Sequence, residues 1–356
     1  MARASCPCFE RSTNTVVYGD PQSGMPDEPY DWQQWLDNNQ DGDTDDAGEH
    51  AWPVAYKRDV PGGPSKLRVS AQFVLSQSWY GGGILVRATA PDGISIPATL
   101  VYSGEGNVVS LYSTDASTAF PQTAKHYNDF ELYWEASSDG GTTWTHVGTS
   151  ANDLYLTWHA PGVSRLYHTL VHLGSHNANG IGGTDAGPVV SAIWADFSDR
   201  DTRRVDGTQM VYYGPYALTE PPPDDVFTTR GLLSHADGRC AAWNNLYDDV
   251  LMGQGITSAS IQRITTKDIP GGTGDGFDVK ATLPAQGNAS PHTAFKDHGV
   301  VLLGTTIYDP SYGTQFANLT AWEDASLSLL WYRNASGISF SAPNTLGDEQ
   351  TQMAPA

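Results

Sequence analysis

The sequence predicts a mixed α+β protein, with an antiparallel β-sandwich in its first half and helices combined with hairpins in its second. Three observations carry that expectation. Apolar residues alternate with polar ones at a period of two from about residue 66 to 160. The period turns helical after Pro161, and short strands with a polar tail after about residue 343 close the chain. A chain of 356 residues also exceeds what one core sustains, about 250–300 residues. We divide it into an irregular acidic segment, 1–60, a β-sandwich, 61–160, and an α+β domain, 161–356.

Residues 1–60 are rich in Asp, Asn, Gly and Pro, with Tyr30, Trp32, Trp35 and Leu36 as anchors onto a neighbouring surface. Cys6 and Cys8 flank Pro7 in what reads as a frayed tail, a metal pair being the other reading. Asp37, Asn39, Asp41, Gly42, Asp43 and Asp45 match the first half of a calcium loop, in which alternating oxygens wrap a hard cation. The twelfth position holds Gly48 in place of the bidentate glutamate, so a structural Ca2+ competes with a solvated acidic loop.

The sandwich rests on alternation. Leu67, Val69, Ala71, Phe73 and Leu75 share one face of a strand, and Ile84–Ala88, Ile96–Tyr102 and Val108–Tyr112 are further strands. Phe130, Leu132 and Trp134 alternate before Ser138-Asp-Gly-Gly-Thr142 turns the chain into Trp144–Val147, and Leu154–Trp158 closes the set. Seven or so short strands in this span suggest an immunoglobulin-like sandwich, a packing or adhesion module. Beyond Pro161, Leu166, Tyr167, Leu170, Val171 and Leu173 fit one helix face. Val189, Val190, Ile193, Trp194 and Phe197 fit another, with Asp185 as N-cap and Pro188 in the first turn. Thr208–Tyr213 reads as a strand, and Gly271–Gly276 as a flexible loop without the lysine or helix of a phosphate-binding loop.

Charge excludes some partners. With 40 acidic against 19 basic residues, the net charge is −21, which repels phosphate backbones and anionic membranes. No stretch reaches the length of a transmembrane helix. The N-terminus shows no apolar signal-peptide core, although scarce lysine and abundant Gly and Trp suit an exported protein. Three cysteines do not make a disulfide framework.

The chemistry concentrates around Cys240. Asp237 and Gly238 open a helix whose apolar stripe is Ala242, Trp243, Leu246, Tyr247 and Val250, and Gly253 and Gly255 end it. Cys240 thus falls in the first turn, where unpaired N–H groups favour a thiolate and can bind an oxyanion. A buried structural cysteine is the plainer alternative. Downstream, Val300–Leu303 and Thr306–Tyr308 flank Gly304-Thr305, a two-residue turn with glycine first, as type II′ prefers. In that register Leu303 pairs with Thr306 and Val300 lies opposite Asp309. His298 is then a diagonal neighbour of Asp309 on one face, within side-chain reach. A carboxylate there holds one imidazole nitrogen and leaves the other for a thiol. One residue more in the turn would put the two on opposite faces.

Taken together, Gly238-Arg-Cys240, Trp243 three residues on, Gly255-Ile256 after the helix, His298 opening a strand and Tyr308-Asp-Pro-Ser-Tyr-Gly313 ending the next resemble the transglutaminase-like superfamily of cysteine enzymes. That group includes transglutaminases, peptide N-glycanases and many bacterial peptidases. The resemblance spans about residues 225–315 and implies a papain-like α+β domain. It implies Cys240 as the nucleophile attacking an amide of a peptide or protein, His298 as base and Asp309 as its orienting group, with no cofactor. Two departures stand out: Gly299 is followed by Val300, where the family often has a small residue and then Trp, and the His-to-Asp interval is short.

The Cys240 N–H is the first expected oxyanion donor, Gln209 or Tyr213 the second, and Trp243 a wall of the substrate groove. His292 is the rival base, and His235 reads as a loop histidine. Zinc on Cys240 and His298 lacks the paired spacing such sites need. The reading from another class is a non-catalytic binding or surface protein with a degenerate enzyme fold, against which an intact Cys240, His298 and Asp309 weigh.

Overall fold

The computed structural model describes residues 2–9, 15–22, 28–30, 35–36, 50–60, 65–75, 83–101, 107–280, 284–343 and 350–356. It is a strand-rich α+β protein of several sheets. Two compact units emerge, Met1–Gly19 with Glu28–Val189, and Asp20–Asp27 with Val190–Ala356. Among the described residues no helix is long and apolar enough to cross a membrane. The expected calcium loop, Asp37, Asn39, Asp41, Asp43 and Asp45, lies outside the described residues, as does Trp32.

In the first unit, β1 (Ala2–Phe9) runs antiparallel to a later strand, so Cys6 and Cys8 belong to a sheet rather than to the frayed tail expected of them. Short pieces follow: β2 (Val17–Tyr18), β3 (Trp35–Leu36) paired with β4 (His50–Ala51), and β5 (Val54–Lys57). Among the described residues of this segment, these strands stand where irregular chain was expected. Tyr30 stacks on Trp52 with centroids 4.6 Å apart. The longer strands are β6 (Arg68–Leu75), β7 (Ile84–Thr89), β8 (Ser95–Val101), β9 (Val108–Asp115), β10 (Lys125–Ser137) and β11 (Thr145–Thr157).

These strands form two sheets, β1-β6-β9 and β5-β11-β10-β7-β8. Val69, Phe73 and Leu111 of the first share one buried cluster with Val86, Leu132, Trp134 and Leu154 of the second. The period of two is the cause, since it sends alternate side chains to the shared face. Trp144–Val147 and Leu154–Trp158, expected as two strands, fall largely in the single strand β11. Its Gly148 takes a positive φ of 147° where the register with β10 slips, so a bulge carries the chain on without a turn. Leu166 and Tyr167 are not helical as expected. They form β12 (Leu166–Tyr167), parallel to β2, and α1 (His168–Asn177) begins after them.

Three carbonyls converge on Arg58 at the end of β5. Its Nε donates to Trp158 O at 2.8 Å, and its two terminal nitrogens donate to Gln122 O and Gly183 O at 2.7 Å each. The guanidinium also lies over the Trp158 ring, 3.5 Å from the centroid. A planar fork with fixed donors suits this clamp.

The second unit holds α2 (Gly187–Ser198), β13 (Val211–Tyr212), α3 (Thr229–His235), β14 (Asp237–Gly238), α4 (Cys240–Gly253), β15 (Ala259–Thr266), β16 (Thr273–Val279), β17 (Ala294–Phe295), β18 (Asp297–Leu303), β19 (Thr306–Asp309), β20 (Thr314–Phe316), α5 (Leu319–Ser326), β21 (Leu327–Asn334), β22 (Gly337–Ser341) and β23 (Thr351–Pro355). Its sheets run β20-β19-β18-β15-β23 and β17-β16-β21-β22, and α4 packs on β18 and β15. Two expectations change. Gly274–Gly276 belongs to β16 rather than to a flexible loop, and the tail returns as β23 beside β15. Buried Glu323 ties that tail down, its Oε1 accepting from the N–H and hydroxyl of Thr351 at 2.5 Å each.

Candidate functional site

Local geometry sets the thiol first. Asp237 was expected to cap α4, but it sits in β14, and Arg239 occupies the N-cap without a side-chain bond. The buried Asp237 carboxylate instead accepts N–H bonds from Gly214 at 2.8 Å, Tyr216 at 2.8 Å and Ala217 at 3.3 Å. It thereby pins the turn after β13 against the start of α4. A β-carbon on Gly214 would stand 2.5 Å from the Asp237 Oδ2, so only glycine fits. Cys240 is the first residue of α4, partly exposed, with its N–H among those a helix leaves unpaired.

The hairpin sets the histidine. Leu303 pairs with Thr306, Leu302 with Ile307 and Val301 with Tyr308. Only Gly304 of the two turn residues has positive φ, 62°, as a type II′ turn requires. The strands therefore carry His298 and Asp309 to one face, and His298 Nε2 and Asp309 Oδ2 meet at 2.8 Å. His298 is fully buried and Asp309 is 1% exposed. Gly299 lets α4 approach β18. A β-carbon there would lie 2.1 Å from Asn244 Nδ2 and 4.0 Å from the Cys240 carbonyl carbon, which explains glycine beside His298 and places Cys240 next to that strand.

The electrostatics follow from this packing. Burial pushes the His298 ring down, but the Asp309 charge and hydrogen bond reverse it, with a smaller contribution from Cys240, and lift it to about 10. Nδ1 of His298 has no partner at ordinary hydrogen-bond geometry, and Cys240 is the thiol that acts on the ring. Trp322 of α5 completes the mount. Its indole stacks on His298 at 6.1 Å and 18°, and its Nε1 donates to Asp309 Oδ2 at 3.4 Å. Phe295 and Tyr312 flank the same ring at 5.4 and 5.7 Å.

The remaining expected residues scatter. Gln209 is exposed and donates to Asp201 Oδ1 at 2.6 Å, so it is spent on a surface turn and is no oxyanion donor. Trp243 is fully buried in the core under α4 and walls no groove. Tyr213 stays near, held at φ 51° by its N–H bond to Gly238 O, with its ring stacked on exposed His292 at 5.0 Å. His235 ends α3 and stacks on Tyr216 at 3.8 Å. Tyr212 was not singled out from the sequence. It is fully buried with its hydroxyl turned to that of Tyr312, and burial followed by the charges of Tyr312 and Cys240 pushes its phenol well above 10.0. It therefore stays a neutral donor beside the thiol. Its signal lay in the pairing of Tyr212 with Gly238, two residues before Cys240, which is a tertiary fact.

No protein-family model matches the chain, and no curated relative is found. Among the described residues no three His, Cys, Asp or Glu side chains are grouped to hold a metal.

Proposed function

We propose that the second unit is a transglutaminase-like cysteine acyltransferase or hydrolase acting on amides of a peptide or protein, and that the two sheets of the first are an immunoglobulin-like sandwich that positions the substrate. The observation that carries this reading is the buried His298–Asp309 pair, whose remaining ring nitrogen is unpartnered while Cys240 at the head of α4 acts on the same ring. In this reading the Cys240 sulfur attacks the amide carbonyl and a C–S bond forms. The carbonyl oxygen collects negative charge, which the Cys240 N–H and the Tyr212 hydroxyl stabilise. His298, protonated at Nδ1, gives that proton to the leaving nitrogen as the C–N bond breaks. It then takes a proton from the acceptor, which attacks the thioester and releases the sulfur as thiolate. Water as acceptor gives an acid, and an amine gives a new amide.

Iodoacetamide labelling tests the reading. Rapid modification of Cys240 at neutral pH, slowed at least tenfold in His298→Ala, is expected. Labelling of Cys240 at the rate of an ordinary thiol, unchanged in the variant, overturns it.

A further inference from the structure

The first unit carries a histidine cluster for which acyl transfer has no use. His168, His172 and His176 recur every fourth residue and so share one face of α1. That helix lies against β10 and β11, and β10 adds His126. The Nδ1 atoms of His126 and His176 are 3.2 Å apart. Two imidazole nitrogens bound to one tetrahedral ion at about 2.0–2.1 Å stand roughly 3.3–3.4 Å from each other, so this spacing is that of a chelating pair.

The other nitrogen of His126 points the same way. Its Nε2 is buried without a hydrogen-bond partner and lies 3.9 Å from Asp153 Oδ1. The negative charge of a carboxylate on that side, although not hydrogen-bonded to the ring, favours the proton on Nε2 and leaves the lone pair on Nδ1. The ring is fixed by stacking on Tyr155 at 4.3 Å and 10°. The Tyr155 hydroxyl in turn meets His168 Nε2 at 3.0 Å and His172 Nδ1 at 3.3 Å. His172 backs His176 in a second stack, 4.9 Å and 11°. His176 is exposed while the His126 side chain is 4% exposed, so an ion can arrive from solvent and meet a buried, rigid ligand.

We infer that His126 and His176 chelate a divalent transition-metal ion of the imidazole-preferring kind, such as Zn2+, between their Nδ1 atoms. Since no third such side chain among the described residues already converges there, solvent fills the rest of the coordination sphere. The competing account of the contact is a direct hydrogen bond between the two rings.

Calorimetric titration of the full chain with ZnCl2, in excess Ca2+ to occupy carboxylate sites, separates the two. One Zn2+ per chain is expected for the wild type and for Cys240→Ser, with affinity at least tenfold weaker in His126→Ala and His176→Ala. Circular dichroism checks that each variant is folded. His176 is exposed, so its variant carries the test even where the His126 variant fails to fold. No Zn2+ uptake by the wild type, or equal uptake by His176→Ala, overturns the inference in favour of the hydrogen bond.

Discussion

At the scale of single residues, the proposed chemistry turns on groups that burial makes unusual. Tyr212 is a phenol sealed from water, its hydroxyl turned to Tyr312 and its ring within the electrostatic reach of Cys240. If it donates to the oxyanion, Tyr212→Phe lowers kcat by about 10²–10³-fold, the range for loss of one such donor, with KM little changed. Steady-state kinetics on any amide the wild type turns over would show this, and an unchanged kcat removes Tyr212 from the proposed mechanism. His298 supplies a second expectation. Its folded value of about 10 lies above the ordinary 6.5, so folding favours the protonated ring. That contribution is complete below 6.5 and drains away as pH rises through about 10. The urea midpoint of the wild type should therefore exceed that of His298→Gln most at pH 6.5 and converge on it by pH 10. A difference that stays constant over this window contradicts the charged-ring picture.

At the scale of elements, the hairpin of β18 and β19 places His298, the proposed base. Its side-chain period is two, so one added residue in the turn moves Asp309 to the far face. Inserting a glycine between Gly304 and Thr305 is expected to leave the helical circular-dichroism signal intact while slowing Cys240 labelling to the rate of His298→Ala. Labelling at the wild-type rate would mean that Asp309 does not hold the histidine. This hairpin was legible in the sequence because turn chemistry and period are local, and Leu303 pairs with Thr306 as expected. The end of α4 at Gly253 was legible for the same reason, as was the place of Cys240 in its first turn. The roles of Asp237, Gln209 and Trp243 were not. Asp237 satisfies N–H groups 20 to 23 residues away, Gln209 serves a surface turn, and Trp243 faces the core because α4 packs on β18. A helical wheel identifies the apolar stripe and is silent about which member of it lines a groove. His172 is also an element-scale effect. Burial, then His126 and His176, holds it down to about 4, so the folded chain loses stability as pH falls from 6.5 to about 4.

At the scale of the whole molecule, the net charge of −21 sets a global term. Like charges repel in the compact state, and salt shortens the range of that repulsion. Raising ionic strength from about 0.01 M to about 0.15 M should raise the melting temperature, as differential scanning calorimetry would record. A melting temperature that falls instead would mean that surface pairs such as Arg68–Asp115 and Arg333–Asp275, lost to screening, outweigh the repulsion.

The sequence by itself determined what depends on neighbours along the chain: the alternating strands of the first unit with their buried face, the helix that holds Cys240 in its first turn, and the register that brings His298 to Asp309. Tertiary structure alone decided what depends on contacts between distant segments: the pairing of β13 with β14 that sets Tyr212 beside the thiol, Trp322 over the imidazole, β23 returning to its sheet, and His126 meeting His176. The physical reason is range. Period, capping and turn chemistry act over a few residues, whereas the partner of a buried polar atom is chosen by whichever segment the packing of two apolar faces brings alongside.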